Sequence, residues 1–256
     1  MSAWRQSLLV VGLVSAIPLI GMLVLARRPT ELPRHLARLV PCASGALIGA
    51  ALLHLLPEAL ARSQAPGRVA LLVALGSLGF FAIDRALHGR IGGAAPHGVT
   101  GPPVASRLRQ LVPATMAGDA LHNVIDGVLI ASAFLDEPSL GLLTGAAIAL
   151  HELPRELGTF ALLVGGGMPV RRAILFNALT GAGAVAGAMA TLVLGSRVSV
   201  AGMWLLPVAA GNFLYLGLSI AAAECRSARS LSGGLAKLGL AAAGMALTAL
   251  GAHAHQ

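Results

Sequence analysis

This sequence has little charge, few aromatic residues and almost no cysteine. Of its 256 residues only 11% are charged and 4% are Phe, Trp or Tyr, and there are two cysteines. A soluble domain carries roughly 25% charged residues, so an ordinary water-facing surface is excluded. Cys42 and Cys225 lie in or beside apolar runs, where they define neither a redox compartment nor a metal motif. Lysine is nearly missing as well: every basic residue except Lys237 is arginine. What remains is apolar and small. Hydrophobic residues make up 56% of the chain and glycine takes 32 positions, with mean hydropathy +0.82. That is the composition of an integral membrane protein. Between helices in lipid there is little hydrophobic driving force, and small residues let backbones approach closely.

Apolar runs long enough to span a bilayer fall at about 7–26, 37–61, 68–87, 111–135, 139–166, 170–194, 199–223 and 233–253. The expected fold is all-α: a polytopic integral membrane protein with eight transmembrane helices, forming one membrane-embedded domain over 1–256. The first run is longer than a signal-peptide core and reads as a retained helix. The stretch 89–110 is rich in Gly and Pro, contains His97 and reads as a cytoplasmic loop.

The net charge of +8 would suggest a nucleic-acid partner in a soluble protein. Here the arginines fall between apolar runs, so they read as orientation signals. Arg27, Arg28, Arg34, Arg38, Arg85, Arg90, Arg107, Arg109, Arg171, Arg172, Arg226 and Arg229 lie on one side. Arg5, Arg62, Arg68 and Arg197 lie on the other, with Asp136 and Glu137. By the positive-inside rule both termini lie on the non-cytoplasmic side. The expected location is the plasma membrane, as a multi-pass protein of a bacterial inner membrane. The bilayer is its partner and nucleic acid is not. The Ala/Gly faces suit a homodimer as well as packing within one chain.

Ionisable groups at a helix centre in a bilayer cost about 2.5–3.5 kcal/mol each, so they need partners and a purpose. In DALHNVIDG (119–127), Asp119, His122 and Asp126 are spaced i, i+3, i+7 and share one helix face, with Asn123 beside it. In HELPRELG (151–158), His151 and Arg155 are i, i+4, as are Glu152 and Glu156, and Thr159 follows. The link between helices 4 and 5 is short, so the two stripes face each other in antiparallel neighbours. Imidazole, carboxylate oxygens and an amide carbonyl form a ligand set for a divalent transition metal. Pro154 withholds an N–H and clashes with the carbonyl of Leu150, freeing that carbonyl for a water-lined path.

A buried ion-pair network that only fixes packing is the plainer reading. Two helices that each present a His with carboxylates favour a metal site over it. Asn177 and Asn212 read as interhelical hydrogen bonders; His35, His88 and His97 read as solvated loop residues; His253 and His255 read either as weak metal-collecting side chains or as a polar tail. An intramembrane zinc hydrolase would need a second His in an H-E-x-x-H pattern, and Arg155 holds that position.

HNVIDG (122–127) and HELPRELG (151–158) resemble the paired metal-binding signatures of the ZIP (Zrt/Irt-like) divalent metal transporters. HLLPEA (54–59) in helix 2 resembles another string common in that family, as does VAAGNFLYLG (208–217) in helix 7. The resemblance covers most of the chain. It implies transport of zinc, or of iron, manganese or cadmium, into the cytoplasm through an intramembrane site between helices 4 and 5, often a binuclear one. It implies a carrier with no resident cofactor and no enzymatic activity. Carried over by position, His122, Asn123, Asp126, His151, Glu152 and Glu156 are the implied metal ligands. His54 and Glu58 would line the path, with Asp119, Arg155 and Asn177 beside it.

The departures are specific. Arg155 stands where the family places a His or Glu ligand, and a guanidinium cannot ligate a cation. Thr159 replaces a common Asp, and Ala184 in helix 6 stands where some members have a bridging Glu. In helix 7, Ile220, Ala223 and Glu224 stand where an Asp and a Pro-Glu pair are common. Arg155 is expected to take the place of a second cation, pairing with Asp126, Glu152 or Glu156 and leaving one metal site. The alternative function is a membrane protein of the same fold that binds or senses metal without moving it.

Overall fold

Each apolar run has two faces at helical spacing. In α1 (Ala3–Ala26), Ser7, Val11, Val14, Pro18 and Met22 recur every three or four residues and are buried. Between them Leu13, Ile17, Ile20 and Val24 lie on the outer face, up to 63% exposed. A water-soluble bundle would put polar side chains there; this one puts leucine, isoleucine and valine there. Its buried set includes Asp84, Asp119, His122, Asn123, Asp126, Glu152, Arg155, Glu156 and Glu224. The polarity is that of a protein dissolved in lipid.

The computed structural model describes residues 3–27, 30–91, 103–228 and 230–253, and excludes the side chains of 87–91, 103–106, 151, 196–203 and 250–253. His97 and His255 lie outside the described residues, as do the side chains of His88, Arg90, Arg197 and His253. Among the described residues there are eight helical rods and no strand. After α1 comes α2, which runs Leu32–Ala61. Next are α3 (Pro66–Ile91), α4 (Pro103–Asp136), α5 (Pro138–Gly165), α6 (Val170–Leu194), α7 (Ser196–Ser227) and α8 (Leu231–His253). Seven are long and apolar enough to cross a membrane. The remaining rod is α5, whose apolar run is interrupted by Glu152, Arg155 and Glu156.

Two details differ from expectation. Helix α4 begins at Pro103, so Arg107 and Arg109 are helical rather than part of the loop. Proline at the first turn sacrifices no hydrogen bond there, and that is how a Gly/Pro-rich stretch passes directly into a helix. Arg109 Nε donates to the Gly166 carbonyl at 3.3 Å, satisfying an acceptor at the end of α5. The second difference is that α2 is not uniform. Ala50–Leu55 forms a π-helix between α-helical Leu32–Gly49 and Leu56–Ala61. The Leu56 N–H reaches back to the Ala51 carbonyl, one residue further than in an α-helix. Pro57 follows immediately and has no N–H to offer the preceding turn.

The helices pack through glycine. A Cβ on Gly127 of α4 would sit 1.8 Å from the Ala184 carbonyl oxygen of α6, and one on Gly187 of α6 would sit 2.2 Å from that of Val124. The same reciprocal contact joins α2 to α8 through Gly45 and Gly244, and α3 to α7 through Gly76 and Gly211. Backbone therefore touches backbone in three helix pairs. Helix α4 sits at the centre, against α1, α3, α5, α6 and α7. Its tight turn into α5 uses Glu137 in an extended conformation with Pro138 opening the next helix.

Candidate metal centre

The short α4–α5 turn makes these helices antiparallel neighbours. Asp119–Asp126 lies at the middle of α4 and Glu152–Glu156 at the middle of α5, so the two polar stripes meet at the same depth. Asp119, His122, Asn123, Asp126, Glu152, Arg155 and Glu156 are all buried. Three donors converge: His122, Asp126 and Glu152 each offer an atom within 4.8 Å of the others. His122 Nε2 lies 3.3 Å from Asp126 Oδ2 and 3.9 Å from Glu152 Oε2. A nitrogen and two carboxylate oxygens at this separation suit a divalent cation of the zinc or iron type.

One turn away, Arg155 fills the space between the helices. Its Nε donates to Glu152 Oε2 at 2.8 Å and its Nη2 to Glu156 Oε1 at 2.9 Å. It also donates to Glu152 Oε1 and to Asp119 Oδ1. Asn123 links the two stripes, donating its amide to Glu156 Oε1 and to the Asp119 carbonyl, both at 3.0 Å. Thr159 donates to Asp119 Oδ1 at 3.4 Å. Phe213 of α7 closes the third side. Its ring centroid is 4.8 Å from that of His122 and 5.9 Å from the Arg155 guanidinium carbon.

Of the residues singled out in the sequence, the fold brings together His122, Asn123, Asp126, Glu152, Glu156, Asp119 and Arg155. The His151 side chain lies outside the described residues. Asp119, expected only beside the path, is a direct partner of Arg155. His54 and Glu58 lie elsewhere, in a cavity of about 220 Å³ between α2, α4 and α5, with Arg62, Ser132, Asp136 and Thr144. Two of its lining residues, Leu129 and Ile148, lie about one helical turn from Asp126 and Glu152. The cavity therefore lies between the α4–α5 turn and the three donors. Asn177 of α6 turns to its own helix and donates to the Ala173 carbonyl at 2.7 Å.

Sequence reasoning missed Phe213. It sits next to Asn212 in an apolar stretch, and nothing in its spacing marks it as a wall of the site. A second buried polar cluster was missed as well. Asp84 of α3 accepts from Arg107 at 3.1 Å and from the Tyr215 hydroxyl at 2.5 Å. Arg107 also donates to Gln110, Tyr215 and Ser219. The bare Asp in GFFAIDRALH (79–88) was the available signal.

Residues 95–252, more than half of the chain, match the family model described as ZIP Zinc transporter. Zinc transporter ZIP6 of Homo sapiens is 43% identical over 101 residues, covering 40% of this chain and 13% of that protein. Zinc transporter foi of Drosophila melanogaster is 43% identical over 101 residues, covering 40% of this chain and 14% of that protein. Zinc transporter ZIP4 of Homo sapiens is 42% identical over 116 residues, covering 45% and 18%. The matched segments thus span less than a fifth of these relatives' lengths.

Proposed function

The chain belongs to the ZIP zinc transporter family, and from that premise we propose that it carries a divalent transition-metal ion, zinc foremost, across the membrane into the cytoplasm. The observation that carries this reading is the convergence of His122, Asp126 and Glu152 at the middle of two antiparallel membrane helices. A charged group there is expensive unless something of opposite charge joins it, and a dication offsets the carboxylates that ligate it. His151, Asn123 and Glu156 complete the proposed ligand set by position.

The ion enters at the α4–α5 turn through the cavity bearing His54, Glu58 and Asp136. It exchanges water for protein donors at His122, Asp126 and Glu152. It leaves towards the arginine-rich side when one part of the bundle rocks against another, the usual logic of a mid-membrane site. On this reading both termini lie outside the cytoplasm, the membrane is the plasma membrane of a bacterial cell, and a homodimer is one assembly that its small-residue faces allow. The chain acts as a carrier and catalyses no covalent chemistry.

Proteoliposomes with a trapped fluorescent chelator test the proposal, with zinc, iron(II), manganese or cadmium added outside. Saturable flux that His122→Ala abolishes is the expected result. One tightly bound ion per chain without flux would instead make the protein a metal-binding or sensing member of its family.

A further inference from the structure

Arg155 is the largest fully buried side chain among the described residues, and it grips a carboxylate that the metal site also needs. Both oxygens of Glu152 accept from its guanidinium, while Glu152 Oε2 lies 3.9 Å from His122 Nε2. The electron density of that one oxygen cannot serve the guanidinium and a dication equally. Arg155 has two other anchors, Asp119 and Glu156. It therefore stays paired if Glu152 turns away, and a buried charge is costly only when left unpaired.

Charge counting points the same way. Three carboxylates, Asp119, Glu152 and Glu156, meet one guanidinium and a fourth, Asp126, lies beside His122; with all four ionised and His122 neutral the formal charge is −3. One dication brings the cluster to −1. A second would bring it to +1, in a medium where like charges repel several times more strongly than in water. Without the guanidinium, two dications would balance the four carboxylates.

We infer that Arg155 is a tethered counter-cation: it limits this site to a single dication and exchanges Glu152 with that ion. When the ion arrives, Glu152 leaves Arg155 to ligate it. When the ion departs, Arg155 recaptures Glu152, so no bare carboxylate is left in the membrane interior. This inference rests on the transport-site reading above.

Zinc bound per chain is measured on the purified full-length protein in detergent by equilibrium dialysis and elemental analysis. The wild type is expected to hold one zinc, Arg155→Lys one, and Arg155→Gln and Arg155→His two. A value of one in both neutral variants, eluting as monodisperse protein, overturns the inference. Should those variants fail to fold, the wild type decides. Its arginines are labelled with 13C at the guanidinium, and infrared difference spectra are recorded on adding zinc. A zinc-induced shift of a guanidinium band, lost in Arg155→Lys, supports the exchange; no shift overturns it. A wild type that binds no zinc removes the metal-site reading itself, and is thereby distinguished from a wild type that binds one ion without the exchange.

Discussion

Between α3, α4 and α7 one carboxylate, Asp84, meets one guanidinium, Arg107, with the Tyr215 hydroxyl donating to the same oxygen. Between α4 and α5 one guanidinium, Arg155, meets three carboxylates, and Asp126 lies beside His122 a turn away. Both clusters bury a carboxylate in an apolar bundle. The first is balanced and lies near the end of its helices, with the Arg107 side chain 26% exposed. The second is unbalanced, fully buried and at mid-depth. A balanced pair holds helices together and needs nothing more. A cluster with surplus carboxylates has room for a further positive charge, a metal ion or a proton, and that imbalance distinguishes the proposed site from the scaffold.

The sharpest way to break this comparison is to neutralise one carboxylate in each cluster. Glu152→Gln removes the carboxylate that pairs with Arg155 and is itself one of the three converging donors. Zinc flux into proteoliposomes should fall about 100-fold, the upper end of what losing even an outer partner costs a metal site. Asp84→Asn should leave flux near the wild-type value and lower the melting temperature in detergent. Its cost is about 1–3 kcal/mol, for Arg107 left with a weaker acceptor. The double variant Asp84→Asn/Arg107→Gln should recover much of that loss, because replacing both members of a buried pair is often close to neutral. A large fall in flux from Asp84→Asn would place that cluster in the transport path and end the distinction.

Glycine contacts give a finer version of the same test. Gly127→Ala puts a methyl 1.8 Å from the Ala184 carbonyl, beside Asp126, and Gly76→Ala puts one 2.3 Å from the Val208 carbonyl, beside no donor. Each should lower stability by about 1–3 kcal/mol, as overpacking does. Only Gly127→Ala should also weaken zinc binding, read by titration. The smallest effect is expected at the Glu224–Lys237 pair, 2.7 Å apart with the Lys237 side chain 26% exposed. Glu224→Gln leaves Lys237 its bonds to the Glu224 carbonyl and Ser227, so it should change the melting point by no more than about 1 kcal/mol warrants, with flux unchanged.

The candidate site was legible where helical spacing alone decides. Asp119, His122 and Asp126 share a face by arithmetic, as do Glu152 and Glu156, and the short 136–138 link forces the two stripes together. What stayed hidden depends on distance along the chain. The partner of Asp84 is 23 residues away in Arg107 and 131 away in Tyr215, and no local pattern joins them. Phe213 covers His122 because α7 crosses α4 there, a fact of packing rather than spacing. Eight rods were readable from apolar run length. The start of α4 was not, because Gly and Pro between 89 and 102 gave the whole stretch a loop composition. The π-helical turn in α2 rests on a shifted hydrogen bond, for which residue type offers only Pro57 as a hint.

That turn has a consequence in genetic terms. A π-helical turn is what a helix looks like after absorbing one extra residue without unwinding. Deleting a single residue within Ala50–Leu55 should therefore be tolerated, since the segment can relax to a plain α-helix with both flanks kept in register. The same deletion in the regular part of α2, at Ala43 for example, would rotate one flank by about 100° relative to the other. A one-codon deletion scan along Leu32–Ala61 should thus show a narrow window of tolerance centred on the π turn, in a helix that otherwise accepts no change of length.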